Sequence, residues 1–360
     1  MKRTILLLVA GLSAGFTDCV KRDVEPVPVP GVDTQPMTGG PEIEADKLAV
    51  FGTLPAEFVN PKNPITPAKV TLGQTLYADP RLSKNQDHSC ASCHDLKKFG
   101  VDGKPTSSGH KGQLGGRNAP TVYNIGGAVA QFWDGRAADL EEQAKGPILN
   151  PIEMAMPNEA RVVQTLKSIP DYAPLFKAAF PEDKDPITYD NMARAIGAFE
   201  RKLVTPSRFD KYVAGDKSAL TRAEKDGLKK FLELGCQTCH NGAAFGGGSF
   251  QKLGILKPFP TKDQGRFEVT KQEADRMMFR VPTLRNIDKT APYFHDGSVK
   301  TLEEAVVLMG RHQLGKELSK EDTAAIVTFL GTLTGTLPEA LIAAPKLPPS
   351  GPTTPKPDPT

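Results

Sequence analysis

Two short arrays constrain this 360-residue chain more than anything else in it: Cys90-Ala91-Ser92-Cys93-His94 and Cys236-Gln237-Thr238-Cys239-His240. In each, a histidine directly follows the second of two cysteines. Four of the five cysteines are used in this way; the fifth, Cys19, lies near the N-terminus. None remains for a disulfide elsewhere. A redox-active dithiol does not need the histidine, and a zinc site built from the four thiolates would leave both histidines idle. Covalent haem attachment uses every residue. Each thiol forms a thioether with one haem vinyl group, and the histidine binds the iron from the proximal side. The chain is therefore expected to wrap two c-type haems.

A second repeat follows each array. Ala119–Ala144 and Val281–Val306 align without gaps at a constant offset of 162 residues. Pro120-Thr121 pairs with Pro282-Thr283, Asn124 with Asn286, and Phe132 with Phe294. Asp134-Gly135 pairs with Asp296-Gly297, and Leu140-Glu141-Glu142 with Leu302-Glu303-Glu304. A match of this extent points to two related haem domains, most simply a duplication. Helical signals dominate around them. Thr221-x-x-Glu224 and Thr301-x-x-Glu304 are capping boxes, and Ser319-x-x-Asp322 is a weaker relative. Tyr189, Met192, Ile196, Phe199 and Leu203 recur at helical spacing and read as a core stripe. Strand signals are sparse. The expected fold is all-α: two cytochrome c-like haem domains related by internal duplication, with long loops.

The ends read differently. Lys2 and Arg3 precede a short apolar run, Ile5 to Gly15, as in an export signal, and the run is too short to span a bilayer. Cys19 sits at the spacing of a lipoprotein acylation site, although Asp18 is a poor match to the small residue that precedes such a cysteine. The alternatives are a lipid anchor through Cys19 or a plain cleaved signal. Residues 24–45 read as a Pro/Gly-rich linker and 345–360 as a Pro-rich disordered tail. The folded part divides into an N-terminal domain, 46–205, and a C-terminal domain, 206–344. A formal net charge of +3 with no basic block excludes nucleic acid as an expected partner. No transmembrane segment is expected in the mature protein.

The two halves are unequal. Between the haem histidine and the shared Pro-Thr lie 26 steps in the first half, from His94 to Pro120, and 42 in the second, from His240 to Pro282. The first interval holds an extra histidine, His110, in a Gly/Ser-rich loop; the second holds none. His110 reads either as a displaceable iron ligand or as a surface histidine. Trp133 is replaced by His295 at the paired position, and Gln143 by Ala305. For the second iron the distal candidates are Met277, Met278, Met309 and His312. A thioether raises haem potential and a second imidazole lowers it. Met309, at the end of the helix after Thr301, is preferred. Glu153 reads alone as a surface or capping carboxylate; over a haem it could shuttle protons.

These stretches, CASCH, GHKGQLGGRNAPTVYN, QFWDGRAADLEEQAKGPILNPIEM, GCQTCH, VPTLRNI and APYFHDGSVKTLEEAVVLM, occur in an order that resembles the bacterial di-haem cytochrome c peroxidases over nearly all of the folded region. The resemblance implies roles residue by residue. The haem on Cys90, Cys93 and His94 would be the low-potential peroxidatic one, with His110 as its displaceable ligand. Gln143 and Glu153 would form the distal pair, and Trp133 would lie between the haems. The haem on Cys236, Cys239 and His240 would be the high-potential electron-transfer one, with Met309 as axial ligand. Asn118, Thr290 and Pro292 would bind calcium, the last two through backbone carbonyls. Hydrogen peroxide would be the substrate and a small c-type cytochrome or copper protein the electron donor, with the enzyme a periplasmic homodimer. Three rivals stand beside this reading. One is a di-haem oxidase acting on a partner protein, a branch in which tyrosine stands at the position of Met309. The others are a non-enzymatic di-haem electron carrier and a peroxide sensor.

Overall fold

Two glycines set the helix pairs on which the rest is built. Helix α1, Pro67–Ala78, crosses α5, Tyr189–Glu200, at Gly73. A Cβ on Gly73 would lie 2.0 Å from the Ala195 carbonyl oxygen and 2.8 Å from the Phe199 Cβ, so only glycine permits this approach. Helix α6, Arg222–Leu234, crosses α8, Lys320–Gly331, at Gly227. There the same Cβ would meet the Ala325 oxygen at 2.0 Å and the Phe329 Cβ at 3.0 Å. Between the two helices of the first pair, in the chain, come α2, Leu140–Leu149, α3, Glu159–Lys167, and α4, Tyr172–Ala179, which pack on that pair; α7, Leu302–Leu314, packs on α8.

The structure is a computed structural model and describes residues 41–360. The export signal, Cys19 and most of the 24–45 linker lie outside the described residues. Helices dominate. The one sheet among the described residues is a pair of short antiparallel strands, Phe250–Lys252 and Met278–Arg280. No described helix is long and apolar enough to cross a membrane.

Local sequence explains the helix starts. Thr221, Thr301 and Ser319 each accept a hydrogen bond from the backbone N–H three residues on, as their motifs predict. The stripe Tyr189, Met192, Ile196, Phe199 and Leu203 is buried throughout. Further geometry recurs at the 162-residue offset. Asn124 and Asn286 both have left-handed φ, as do Phe132 and Phe294. Isolated bridges join Gln131 to Ala137 and Tyr293 to Val299.

Each array sits beside its own core. The first core holds Leu72, Tyr77, Ile148, Met192 and Phe199, with Cys90 packed against it. The second is rich in aromatic rings, including Phe51, Phe209, Phe245 and Phe329, with Cys236 at its edge. The chain ends depart from the expected boundaries. Ile43, Leu48 and Phe51 lie in the second core, so the segment assigned to the linker and the start of the N-terminal domain packs with the C-terminal array. Ile342, with Leu337 and Leu341, packs in the first core. Composition could not reveal this exchange, because apolar residues at a chain end do not say which core they enter.

The Pro-rich segment 345–360 is also not a free tail. Its backbone and side chains are tied to the first half. Arg81 Nη1 donates to Ser350 Oγ (3.1 Å), Gln86 Nε2 to the Pro355 oxygen (2.6 Å), and Asp358 N to the Lys84 oxygen (3.0 Å). Proline fixes φ and lowers the entropy of ordering, and an extended chain leaves its carbonyls free to accept such bonds.

One ion pair anchors α2 to α5. Arg201 donates from both Nη atoms to Glu141 (2.6 and 2.7 Å), and Asn63 Nδ2 donates to the same carboxylate (2.6 Å). Burial alone would push the Glu141 carboxyl up; Arg201 and Asn63 more than offset it and hold the carboxyl below its usual range. A depressed carboxyl contributes stability above its unfolded pKa and loses it as pH falls through the folded one. Arg201→Met leaves the charge buried and unpaired, and is expected to cost about 3–5 kcal/mol at neutral pH. Denaturant titrations at pH 7 and at pH 4 to 5 check this, with the deficit shrinking as Glu141 becomes able to take a proton.

Candidate active site

Each array opens on a cavity. The first, about 750 Å³, is lined by Cys90, Cys93 and His94; the second, about 240 Å³, by Cys236, Cys239 and His240. In both, the histidine is oriented by a carbonyl. Nδ1–H of His94 donates to the Gly100 oxygen (3.2 Å), and Nδ1–H of His240 to the Phe245 oxygen (3.3 Å). A carbonyl only accepts, so the proton is on Nδ1 and Nε2 keeps its lone pair for a metal. Burial lowers both imidazole pKa values, that of His240 to about 4, which keeps the rings neutral and ready to ligate. The same burial pushes the Cys90 and Cys236 thiols up, so they are protonated groups in apolar walls.

Two orphaned polar atoms test whether an anionic macrocycle fits. Arg280 Nη1 is buried without a partner and Arg280 lines both cavities; burial lowers its pKa to about 10. A guanidinium without a counter-charge suits a ligand that brings carboxylates. Glu200 Oε2 is the other, in the first cavity. The residues present fit covalent haem at both arrays.

The first cavity also gathers most of the expected reactive set. Gln143 reaches it from the first turns of α2. Glu153 reaches it from the loop after α2 and accepts a bond on Oε1 from Asn150 Nδ2 (2.8 Å). Burial raises the Glu153 carboxyl above its usual range, while Arg136 and Asn150 pull it back. Trp133 lines both cavities; its Nε1 donates to the Asn118 oxygen (2.9 Å) and its own carbonyl accepts from Arg280 N (2.8 Å). With Asn118, Pro120, Thr121, Ile125 and Arg280 it forms the wall the two cavities share.

His110 is not brought into the cavity. Its neighbour Gly109 is on the wall, but the ring is buried outside it. His110 N donates to the Glu153 oxygen (2.8 Å), and Nε2–H donates to the main-chain oxygen of Thr360 (3.1 Å). The loop of His110 and the loop of Glu153 are thus stitched together, and the imidazole nitrogen is held by the 345–360 segment.

In the second cavity the four distal candidates separate. Met309, on α7, is on the wall; Met277, Met278 and His312 are not. His312 is committed elsewhere, with Nδ1–H donating to the Lys257 oxygen (2.9 Å). Asn118, Thr290 and Pro292 all line this cavity. Asn118 Nδ2 is spent on the Lys104 oxygen (2.9 Å), which leaves Oδ1 as a hard donor of the kind calcium prefers.

Sequence reading missed Arg280 and Glu200. Glu200 carried a signal: four residues after Ile196, it places an acid on the buried face of an apolar stripe. Arg280 had only its alignment partner, Asn118, which says nothing of burial.

Known proteins resemble the chain over most of its length. A family described as "Di-haem cytochrome c peroxidase" matches residues 67–218. The cytochrome c551 peroxidase of Nitrosomonas europaea is 50% identical over 306 residues, spanning 83% of this chain and 90% of that protein. That of Pseudomonas aeruginosa is 46% identical over 329 residues, spanning 88% and 94%. Among solved structures, a MauG-like protein associated with microbial copper homeostasis has a TM-score of 0.72 at 32% identity, covering 82% of this chain and 96% of that one.

Proposed function

Because this chain belongs to the di-haem cytochrome c peroxidase family, and is an oxidoreductase of the peroxidase class, we propose that it reduces hydrogen peroxide to water at the first cavity, with electrons entering through the second. The net reaction takes hydrogen peroxide, two electrons and two protons to two waters. The observation that carries this reading is the asymmetry of the cavities: Glu153 and Gln143 line the first, while Met309 lines the second. When bound, haem would supply the one-electron chemistry and the metal at which peroxide is reduced. The chain supplies the rest. Glu153 takes the proton from the inner peroxide oxygen and returns it to the outer one as the O–O bond breaks. Gln143 orients the substrate from the α2 side. Trp133 and Arg280 form the common wall across which electrons pass.

His94 and His240 would hold the two irons through Nε2, and Met309 would be the further ligand of the high-potential site. His110 would be the displaceable ligand of the first. Its Nε2 must leave the Thr360 oxygen before it can reach a metal, so the loop has two positions. Asn118 Oδ1 with the Thr290 and Pro292 backbone oxygens would form a calcium site beside the shared wall. The two units, 46–205 and 206–344, are cytochrome c-like domains that arose by duplication and exchanged short terminal segments. The repeated glycine crossings and the paired left-handed residues support that origin. We place the protein in the periplasm as a homodimer, accepting electrons from a small c-type cytochrome or copper protein. Cys19 is its acylation site if the leader is of the lipoprotein kind.

The oxidase reading requires a tyrosine in place of Met309, and a simple carrier has no use for Glu153 and Gln143. Turnover with peroxide and a reduced small cytochrome tests the proposal; no donor oxidation would end it. In His110→Gly the first haem is expected to bind cyanide in the fully oxidised protein without prior reduction. A six-coordinate low-spin spectrum at that haem, unchanged by cyanide, would remove His110 from its role.

A further inference from the structure

Ile196 and Glu200 lie one helical turn apart on α5 and both line the first cavity. Ile326 and Leu330 lie one turn apart on α8 and both line the second. The Gly73–Ala195–Phe199 and Gly227–Ala325–Phe329 crossings put these helices in corresponding places, so Glu200 stands where the second cavity has Leu330. Glu200 is 4% exposed, and its Oε2 has no hydrogen-bond partner.

The groups around Glu200 leave it alone. Arg201, next on the helix, turns both Nη atoms to Glu141. Tyr77, on α1, spends its hydroxyl on the His94 oxygen (2.8 Å), and Cys90 is spent in the haem thioether and offers no proton. Across the cavity, Arg136 is paired with Asp134, and Glu153 is bonded to Asn150. Arg280 has no bonded carboxylate but is not among the charges that move Glu200. Burial pushes the Glu200 carboxyl up to about 8, with Arg201 pulling it down and Glu141 pushing it further up. Acid and carboxylate are therefore both accessible within the pH range of 6 to 9, and the group can take up or release a proton.

We propose that Glu200 is the proton-linked group of the first haem site: one electron accepted there is matched by one proton taken from solvent onto Oε2, and both leave together on reoxidation. This rests on the first array carrying haem. The bookkeeping balances: ferric iron plus one electron from an external one-electron reductant gives ferrous iron, and the Glu200 carboxylate plus one proton gives the acid. An added electron is costly in a dry pocket unless a nearby proton offsets it, which is the reason for the coupling. Leu330 can take no proton, so the second site lacks a counterpart of Glu200; burial lowers the pKa of His295, which also lines that cavity, and keeps it neutral.

The test is a spectroelectrochemical titration of the full-length holoprotein between pH 6 and 9, reading each haem separately. The first midpoint is expected to fall as pH rises, by up to about 59 mV per tenfold change in proton concentration. The second should be nearly flat. Glu200→Gln should flatten the first and leave the second unchanged, and Glu153→Gln should keep the slope. A first midpoint independent of pH in the unaltered protein, or a slope retained in Glu200→Gln, overturns the proposal. Should the variant fail to fold, reduced-minus-oxidised infrared difference spectra of the unaltered protein decide. A protonated-carboxyl band gained on reduction supports the link, and its absence refutes it. Haem counting by pyridine haemochrome separates this outcome from failure of the haem assignment.

Discussion

Replacing Glu153 by glutamine is expected to slow peroxide turnover by about 10²–10⁴-fold while both haems and their resting spectra stay intact. The amide keeps the size of the side chain and its contact with Asn150 Nδ2 (2.8 Å) but cannot take a proton from peroxide. The environment explains why a carboxylate works here. Burial raises its pKa and Arg136 and Asn150 temper the rise, which brings the group nearer the working pH than the roughly 4.3 of a free glutamate. Only the ionised form can accept the proton. Turnover should therefore fall on the acid side along a limb set by this raised value, and the limb should vanish in Glu153→Gln. Unaltered turnover with normal spectra would take Glu153 out of the mechanism.

Met309→His is expected to lower the potential of the second haem by on the order of a few tenths of a volt, within the range of about 0.8 V that axial ligands control. Thioether ligation favours the ferrous state and imidazole the ferric. Met309 is the only one of the four candidate ligands on the wall of the second cavity, so the effect should be specific to it. Electron entry from a high-potential donor would then be uphill and turnover would fall, while the first haem keeps its potential. Redox titration of each haem checks this. A second haem of unchanged potential would show that Met309 is core filler and not a ligand.

Much of this site was legible before any coordinates. The haem arrays, the capping boxes and the core stripe are local patterns, and local patterns fix helices and cofactor positions. The comparison of Trp133 with His295 and of Gln143 with Ala305 located the unequal halves, because a repeat turns each mismatch into a question. What the sequence could not place was anything decided by the packing of distant segments. Ile43 and Phe51 enter the second core and Ile342 the first. The segment after Pro345 reads as solvent-loving by composition, yet it binds Lys84, Gln86 and His110 through its backbone oxygens. Arg280 and Glu200 matter through burial without a partner, and a residue type carries no record of that.

The central claim is that peroxide reacts at the Cys90–Cys93–His94 site while the Cys236–Cys239–His240 site delivers the electron. Stopped-flow mixing of the half-reduced protein with peroxide, with each haem followed at its own wavelengths, tests it most directly. A prompt spectral change at the first haem is expected, followed by oxidation of the second. Peroxide that leaves the first haem unaltered, or that oxidises the second haem without it, would show that the two sites do not divide the reaction in this way.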